Sequence, residues 1–273
     1  MKVVLFCGGH GMRMRDDRGE GAPKPMQLVG PRPLLWHVMR YYAHFGHTEF
    51  ILCLGYGAQH VKDYFLEYRE TTSHDFVLDR GEVRLCDSDL AEWRLHFVDT
   101  GRDAAIGERL RRVRHLLADD EVFLANYSDV LTDAPLPDLV RLRQVEGSAA
   151  SMMLVRPPGS FHAVRCVGGR VVGVTAATDL DLWVNGGYFV LTHEVFDHIP
   201  PGGDLVGDGI AGLIERGRVS AYHHDGFWKP ADTFKERAEL DLAYQRGEAP
   251  WCLWEERRSE HAPFAGTLVA TAG

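Results

Sequence analysis

Short apolar runs separated by amphipathic helical stretches set the strongest limit on this chain's fold. Val3-Val4-Leu5-Phe6-Cys7 has no polar member and reads as a strand buried on both faces. Leu34, Leu35, Val38, Met39, Tyr42 and Phe45 then recur at helical spacing, and Gly46 is placed to end that helix. The alternation continues with strands at Phe50–Leu54, Leu95–Val98, Val122–Ala125 and Met152–Val155. Helical patterns run through Val61–Tyr68, Leu110–Leu117 and Leu136–Val145. Such repetition predicts an α/β fold with a Rossmann-like, doubly wound sheet. Residues 70–93 are polar and read as a hairpin or excursion. The second half departs from strict alternation, because Ala163–Val167 and Val171–Val174 flank Gly168-Gly169, a hairpin signal. Val184–Leu191 adds a strand, and helices are expected at Ile210–Arg216 and Thr233–Arg246. The expectation is a mixed sheet with a small C-terminal lobe over residues 1–255, followed by a tail, 256–273.

The chain has 273 residues, 45% hydrophobic and 25% charged, enough for a sizeable core. A net charge of -9 argues against a general nucleic-acid binder, so phosphorylated ligands would need locally concentrated cations. The five cysteines show no C-x-x-C spacing and read as small apolar residues of a reducing compartment. No signal-peptide pattern precedes the first strand, and no apolar run approaches membrane-spanning length. A soluble, cytoplasmic protein without membrane partners is expected.

The residues after the first strand carry the chemistry. Gly8-Gly9-His10-Gly11-Met12-Arg13 sits beyond a strand's carboxyl end, where open α/β sheets bind ligands. Glycines let backbone N–H groups approach a phosphate closely. Arg13, Arg15, Arg18 and Lys24 supply positive charge, partly offset by Asp16, Asp17 and Glu20. The loop lacks the G-x-G-x-x-G dinucleotide fingerprint, and no Gly-Lys-Ser/Thr closes it as a Walker A loop.

Gly8-Gly9-x-Gly11-x-Arg13 followed by Pro23-Lys24-Pro25-Met26 resembles the signature of sugar-1-phosphate nucleotidyltransferases. Further matches are Leu35-Trp36-His37, Gly55-Tyr56, Val98-Asp99-Thr100-Gly101, Asn185-Gly186-Gly187-Tyr188 and Gly226-Phe227-Trp228-x-Pro230-x-Asp232-Thr233. The last of these is most similar to the glucose-1-phosphate cytidylyltransferase family. The resemblance implies coupling of a sugar 1-phosphate to a nucleoside triphosphate, CTP being favoured, with release of pyrophosphate. It implies Arg13 and Lys24 as catalytic cations on the phosphates, and Asp129 and Asp232 as ligands of a magnesium ion. It places the nucleotide against Gly8, Gly9, Gly11, Gly55, Tyr56, Thr100, Gly107 and Arg112, and the sugar against Asn185, Gly186 and Gly187. It also implies a homo-oligomer. Either aspartate could instead be a helix cap, Asp232 especially, since Thr233 opens an apparent helix. Of the cluster Arg109, Arg111, Arg112 and Arg114, the last member and the first two are expected to be solvated.

The pattern breaks on the acceptor side. The family's Glu-Lys pair before Asn-Gly-Gly, whose lysine holds the sugar phosphate, is replaced by Ala176-Ala177. Ser128 and Val130 flank the first metal aspartate where the family has glycines, and Lys229 stands where it has glutamine. An altered acceptor is expected, with Lys229 as the substitute cation. A non-catalytic nucleotide-sugar sensor is the rival reading, opposed by the survival of Arg13, Lys24, Asp129 and Asp232 together.

Overall fold

The structure, a computed structural model, describes residues 1–9, 22–157, 162–255 and 267–268. Strand β1 (Val3–Phe6) is buried along its whole length. Alternate side chains feed opposite faces: Val3 and Leu5 join one apolar core, Val4 and Phe6 the other. That is the doubly wound arrangement which an unbroken apolar run predicts.

After a 3-10 turn at Lys24–Met26, the short pair β2 (Leu28–Val29) and β3 (Arg32–Pro33) leads into α1 (Leu34–His44). Then come β4 (Glu49–Leu54), α2 (Ala58–Leu66), and a hairpin of β5 (Phe76–Asp79) with β6 (Glu82–Leu85). β7 (Arg94–Asp99), α3 (Ile106–Val113), β8 (Val122–Asn126), β9 (Val130–Thr132), α4 (Leu136–Glu146) and β10 (Ala150–Val155) follow. The second half contains the hairpin β11 (His162–Val167) and β12 (Arg170–Ala176), then β13 (Val184–Thr192). A π-helical turn at Leu205–Ile210 runs into α5 (Ala211–Ile214), followed by β14 (Val219–His224), β15 (Trp228–Pro230) and α6 (Phe234–Gln245). The predicted Ile210–Arg216 helix is thus preceded by a wider π turn, which shares only Ile210 with it and is begun by Asp204, whose side chain accepts from the N–H groups of Val206 and Gly207. In the tail, β16 (Thr267–Leu268) pairs with β6; the rest of 256–273 lies outside the described residues.

The main sheet has seven strands in the order β14-β10-β13-β8-β1-β4-β7. β1 runs parallel to β4 and β8, and β4 to β7. β13 is antiparallel to both β8 and β10, which makes the sheet mixed. Helices α1, α2, α4 and α6 contribute to the core on one face; α3 and α5 contribute to the other. The residues after α6 return to the first core, where Trp251, Cys252 and Trp254 are buried. All five cysteines are free; Cys7, Cys53 and Cys252 are buried, whereas Cys86 and Cys166 are exposed on the two hairpins.

A buried histidine links α1 to this returning segment. His37 Nε2 donates to the Val29 carbonyl at 2.9 Å, and its Nδ1 accepts from Trp251 Nε1 at 3.3 Å. Both ring nitrogens are committed to the neutral form. Burial pulls the pKa of His37 from 6.5 to about 4. The unfolded chain takes up a proton near pH 6.5, and the folded chain only near 4. This stability is therefore present above pH 6.5 and lost as pH falls toward 4. The loss should reach about 3 kcal/mol. Urea denaturation from pH 7 to pH 4 should show a shallower decline for His37→Gln than for wild type; equal slopes would exclude His37 as the source.

Candidate active site

The carboxyl ends of β1, β4, β7 and β8 lie along one edge of the sheet, and the start of antiparallel β13 joins them there. A cavity of about 610 Å³ opens over this edge. Its lining includes Gly8 and Gly9 after β1, Arg102–Ile106 after β7, Tyr127 and Asp129 after β8, and Asn185–Gly187 on β13. Lys24, Trp228, Pro230 and Asp232 complete its sides.

The centre is a lysine between two aspartates. Lys24 is fixed in a turn between Pro23 and Pro25, where the Met26 N–H donates to the Pro23 carbonyl at 2.7 Å. Its ammonium donates to Asp129 Oδ2 at 2.6 Å and also to Asp232 Oδ1. Burial pulls the Lys24 pKa down, but the two carboxylates outweigh it and leave it above the ordinary value. Burial also raises the carboxyl of Asp129, which Lys24 restrains only in part. The β9–β15 pair brings the aspartates together: Val130 faces Pro230, and the Ala231 N–H donates to the Asp129 carbonyl at 3.0 Å.

The helix-cap alternative for Asp232 is answered by its neighbour. Thr233 is the N-cap of α6 and forms a capping box with Glu236, so the Asp232 carboxylate is free to face the cavity. Asp129 opens no helix. It follows Ser128, which holds a left-handed φ of 62° where a side chain is strained. The Ser128 hydroxyl donates to the Phe6 carbonyl at 2.8 Å, and its N–H to Asn126 Oδ1 at 2.6 Å. These bonds fix the sharp turn that a glycine would otherwise adopt freely.

On the β13 side, Asn185 Nδ2 donates to the Tyr127 hydroxyl at 3.0 Å, and Trp228 Nε1 donates to the Gly186 carbonyl at 2.9 Å. Gly187 has a φ of 80°, and a Cβ there would stand 2.9 Å from the Tyr127 ring. Asn185, Gly186 and Gly187, expected at the sugar, therefore line the cavity together with Tyr127 and Trp228.

On the β4–β7 side the structure redistributes the expected roles. Gly55, Tyr56, Thr100 and Gly107 do not line the cavity; they lie behind its wall, which is formed by Arg102–Ile106. Arg109, expected to be solvated, is only 4% exposed. Its guanidinium donates to the carbonyls of Gly8, Leu54, Gly101 and Arg102 at 2.8–3.1 Å, and to Thr100 Oγ1 at 2.9 Å. A Cβ on Gly55 would approach Arg109 Nη1 to 2.6 Å, so glycine is required where the guanidinium crosses. Arg112, expected at the phosphates, instead donates to the Thr100 carbonyl and pairs with Glu108, away from the cavity lining. Arg111 donates to the Ile199 carbonyl.

Lys229 is likewise not a cavity residue. On β15, Trp228 and Pro230 face the cavity, and strand alternation turns Lys229 the other way, onto Glu239 of α6. That period-2 pattern could have been read from the sequence. Arg13 and Gly11 lie outside the described residues. Asp103 and Asp204 line the cavity without having been anticipated.

Among the described residues, the one group of three potential metal ligands is Glu70, His74 and Asp89. Asp89 already accepts from Trp36 Nε1 and the Tyr68 hydroxyl and pairs with Arg40 at 2.8 Å. We read it as a tie between the β5–β6 excursion and α1.

No family model matches the chain. A probable glucose-1-phosphate cytidylyltransferase of Bacillus subtilis is 33% identical, the match covering 93% of this chain and all of the relative. The glucose-1-phosphate cytidylyltransferase of Salmonella typhi is 32% identical over the same shares. The chain belongs to the glucose-1-phosphate cytidylyltransferase family. Solved structures agree on the fold. A UTP-bound UGPase from Acinetobacter baumannii superposes with a TM-score of 0.66 at 16% identity, covering 96% of this chain and 99% of that one. A UDP-glucose pyrophosphorylase complexed with UDP-glucose gives 0.65 at 15% identity, with 90% and 98% covered.

The Arg109 arrangement is testable. Arg109→Lys retains a charge but cannot reach four carbonyls. Buried acceptors left unpaired cost about 1–3 kcal/mol each, so the variant should lose about 2 kcal/mol or more in urea denaturation. Unchanged stability would show that the three loops are held by other contacts.

Proposed function

We propose that this enzyme couples a sugar 1-phosphate to a nucleoside triphosphate, CTP being preferred, and releases pyrophosphate. The observation that carries the reading is the convergence of Asp129 and Asp232 on the Lys24 ammonium, in the cavity that Gly8, Gly9 and Asn185–Gly187 also line. In the reaction an oxygen of the sugar phosphate attacks the α-phosphorus of the triphosphate. The bond to the bridging oxygen breaks, and its electron pair leaves with pyrophosphate. Two anions must be brought together, so the protein's work is positioning and charge neutralisation.

A magnesium ion fits this centre. The carboxylates already close on one cation, and an all-oxygen set of two carboxylates, phosphates and water is what magnesium takes. When bound, it would neutralise charge developing on the phosphate oxygens. Asp129 and Asp232 would hold it, leaving the Lys24 ammonium to donate to a phosphate oxygen. Asn185, Gly186, Tyr127 and Trp228 orient the sugar. Arg13 belongs to the same proposal, on the triphosphate and leaving group. On the same footing we read the enzyme as cytoplasmic and homo-oligomeric.

Asp129→Asn and Asp232→Asn should abolish pyrophosphate release from CTP and glucose 1-phosphate while the circular dichroism spectrum is retained. Lys24→Met should slow the rate by a factor on the order of 10² to 10³. Full turnover in either aspartate variant would overturn the metal assignment. A Lys24→Met effect confined to the nucleotide KM would make Lys24 a binding group only.

A further inference from the structure

The order of parts along the sheet edge gives the cavity a direction. Asn185–Gly187 come from β13, Asp129 follows β8, Gly8–Gly9 follow β1, and Arg102 follows β7. The reacting centre occupies the β8–β1 stretch and the sugar segment lies on the β13 side. The nucleoside must then extend the other way, toward β4 and β7. Among the described lining residues on that side, Asp103 is acidic, Ala104, Ala105 and Ile106 are apolar, and the Arg109 Nη atoms are engaged with backbone carbonyls.

Arg102 differs. Its guanidinium makes no hydrogen bond to any described residue and stacks on the Tyr56 ring at 5.3 Å. Its backbone is held on both sides. Arg109 Nη2 donates to the Arg102 carbonyl at 3.1 Å, and the preceding Gly101 has a φ of 86° with its N–H on Asp99 Oδ1. The result is a planar donor fork, aligned by an aromatic face and open to the nucleoside end of the cavity.

We propose that Arg102 selects the nucleobase, by donating two parallel hydrogen bonds to an edge that offers two adjacent acceptors. Cytosine presents such an edge at O2 and N3, and guanine at O6 and N7. Uracil and thymine interpose the N3–H between O2 and O4, and adenine interposes its N6 amine between N7 and N1, donors that a guanidinium repels. The choice of cytosine rests on the cytidine reading proposed above. Arg102 is therefore a specificity residue that touches the base and not the reacting phosphates.

The test is kcat/KM for CTP, UTP, GTP and ATP with glucose 1-phosphate, in wild type, Arg102→Ala and Arg102→Lys. A bidentate contact discriminates by about tenfold to a hundredfold, so the CTP-over-UTP ratio should fall by that factor in both variants. Lysine keeps the charge but lacks the fork, and should not restore the ratio. An equal loss for CTP and UTP, restored by lysine, would overturn the inference and put Arg102 on the triphosphate. A CTP-preferring wild type whose ratio survives Arg102→Ala also overturns it, leaving the cytidine reading intact. A GTP-preferring wild type that loses its preference in both variants sustains the inference and rejects the cytidine reading. A wild type preferring UTP or ATP rejects both.

Discussion

Three parallel strands must deliver their loops to one place before any chemistry is possible, and a single guanidinium holds them there. Arg109 reaches through the layer behind the cavity and bonds the loop after β1 at Gly8, the end of β4 at Leu54, and the loop after β7 at Gly101 and Arg102. Carbonyls at the ends of parallel strands have lost their ladder partners, and burying them unpaired is costly. One fork bonds four such carbonyls, of which Gly8 and Leu54 also accept from the N–H groups of Tyr56 and Thr100. The glycines at 8, 55 and 101 follow from this arrangement as much as from any ligand. Gly8 and Gly55 leave room for the Arg109 fork, and a Cβ on Gly101 would stand 2.7 Å from Arg112.

This explains which parts of the protein were legible in its sequence. The doubly wound sheet follows from unbroken apolar strands whose alternate residues feed two cores, as Val3 to Phe6 do. The antiparallel β13 was readable as a strand, yet nothing in its residues gives its direction, since pairing order is a long-range property. At the site, Lys24, Asp232 and Asn185–Gly187 were legible because each sits in a motif of fixed spacing, and Asp129 because it follows the apolar strand Val122–Ala125. Arg109 was not. A buried arginine and a solvated one are identical in a helical stretch of Arg109-x-Arg111-Arg112, and only the loops packed against α3 distinguish them. Lys229 failed for a simpler reason: the two-residue period of Trp228-Lys229-Pro230 puts its side chain on the opposite face.

Asp232 shows how adjacent residues divide two tasks. An aspartate at a helix start can cap the helix or face a ligand, and one carboxylate cannot do both well. Thr233 takes the capping role, completed by Glu236. Asp232 is then left one residue outside the helix, with its side chain 45% exposed toward Lys24. Ser128 does the corresponding work for Asp129. Its hydroxyl bonds the Phe6 carbonyl, a tie that a glycine in the same left-handed turn would lack, and so helps fix the direction of the following carboxylate.

The acceptor half remains the unusual part. Ala176 and Ala177 stand where the family's resemblance calls for glutamate and lysine, and Ala177 is buried at 7% exposure. Lys229 does not compensate, being engaged with Glu239. Among the described residues lining the cavity, the cations are Lys24, Arg102 and Arg109. Arg109 is spent on backbone, and Arg102 lies at the opposite end from Asn185. On the proposed reading, the described cations left to meet the acceptor phosphate are Lys24 and the metal at the reacting centre, and the described groups facing the sugar ring are neutral. Asn185, the Gly186 backbone, Tyr127 and Trp228 are such groups, already ordered by their mutual hydrogen bonds. Neutral donors and an aromatic face recognise hydroxyl patterns and ring shape rather than charge. On that proposal, the described residues select the acceptor by the outline of its ring, and those that meet its phosphate are the ones at the reacting centre.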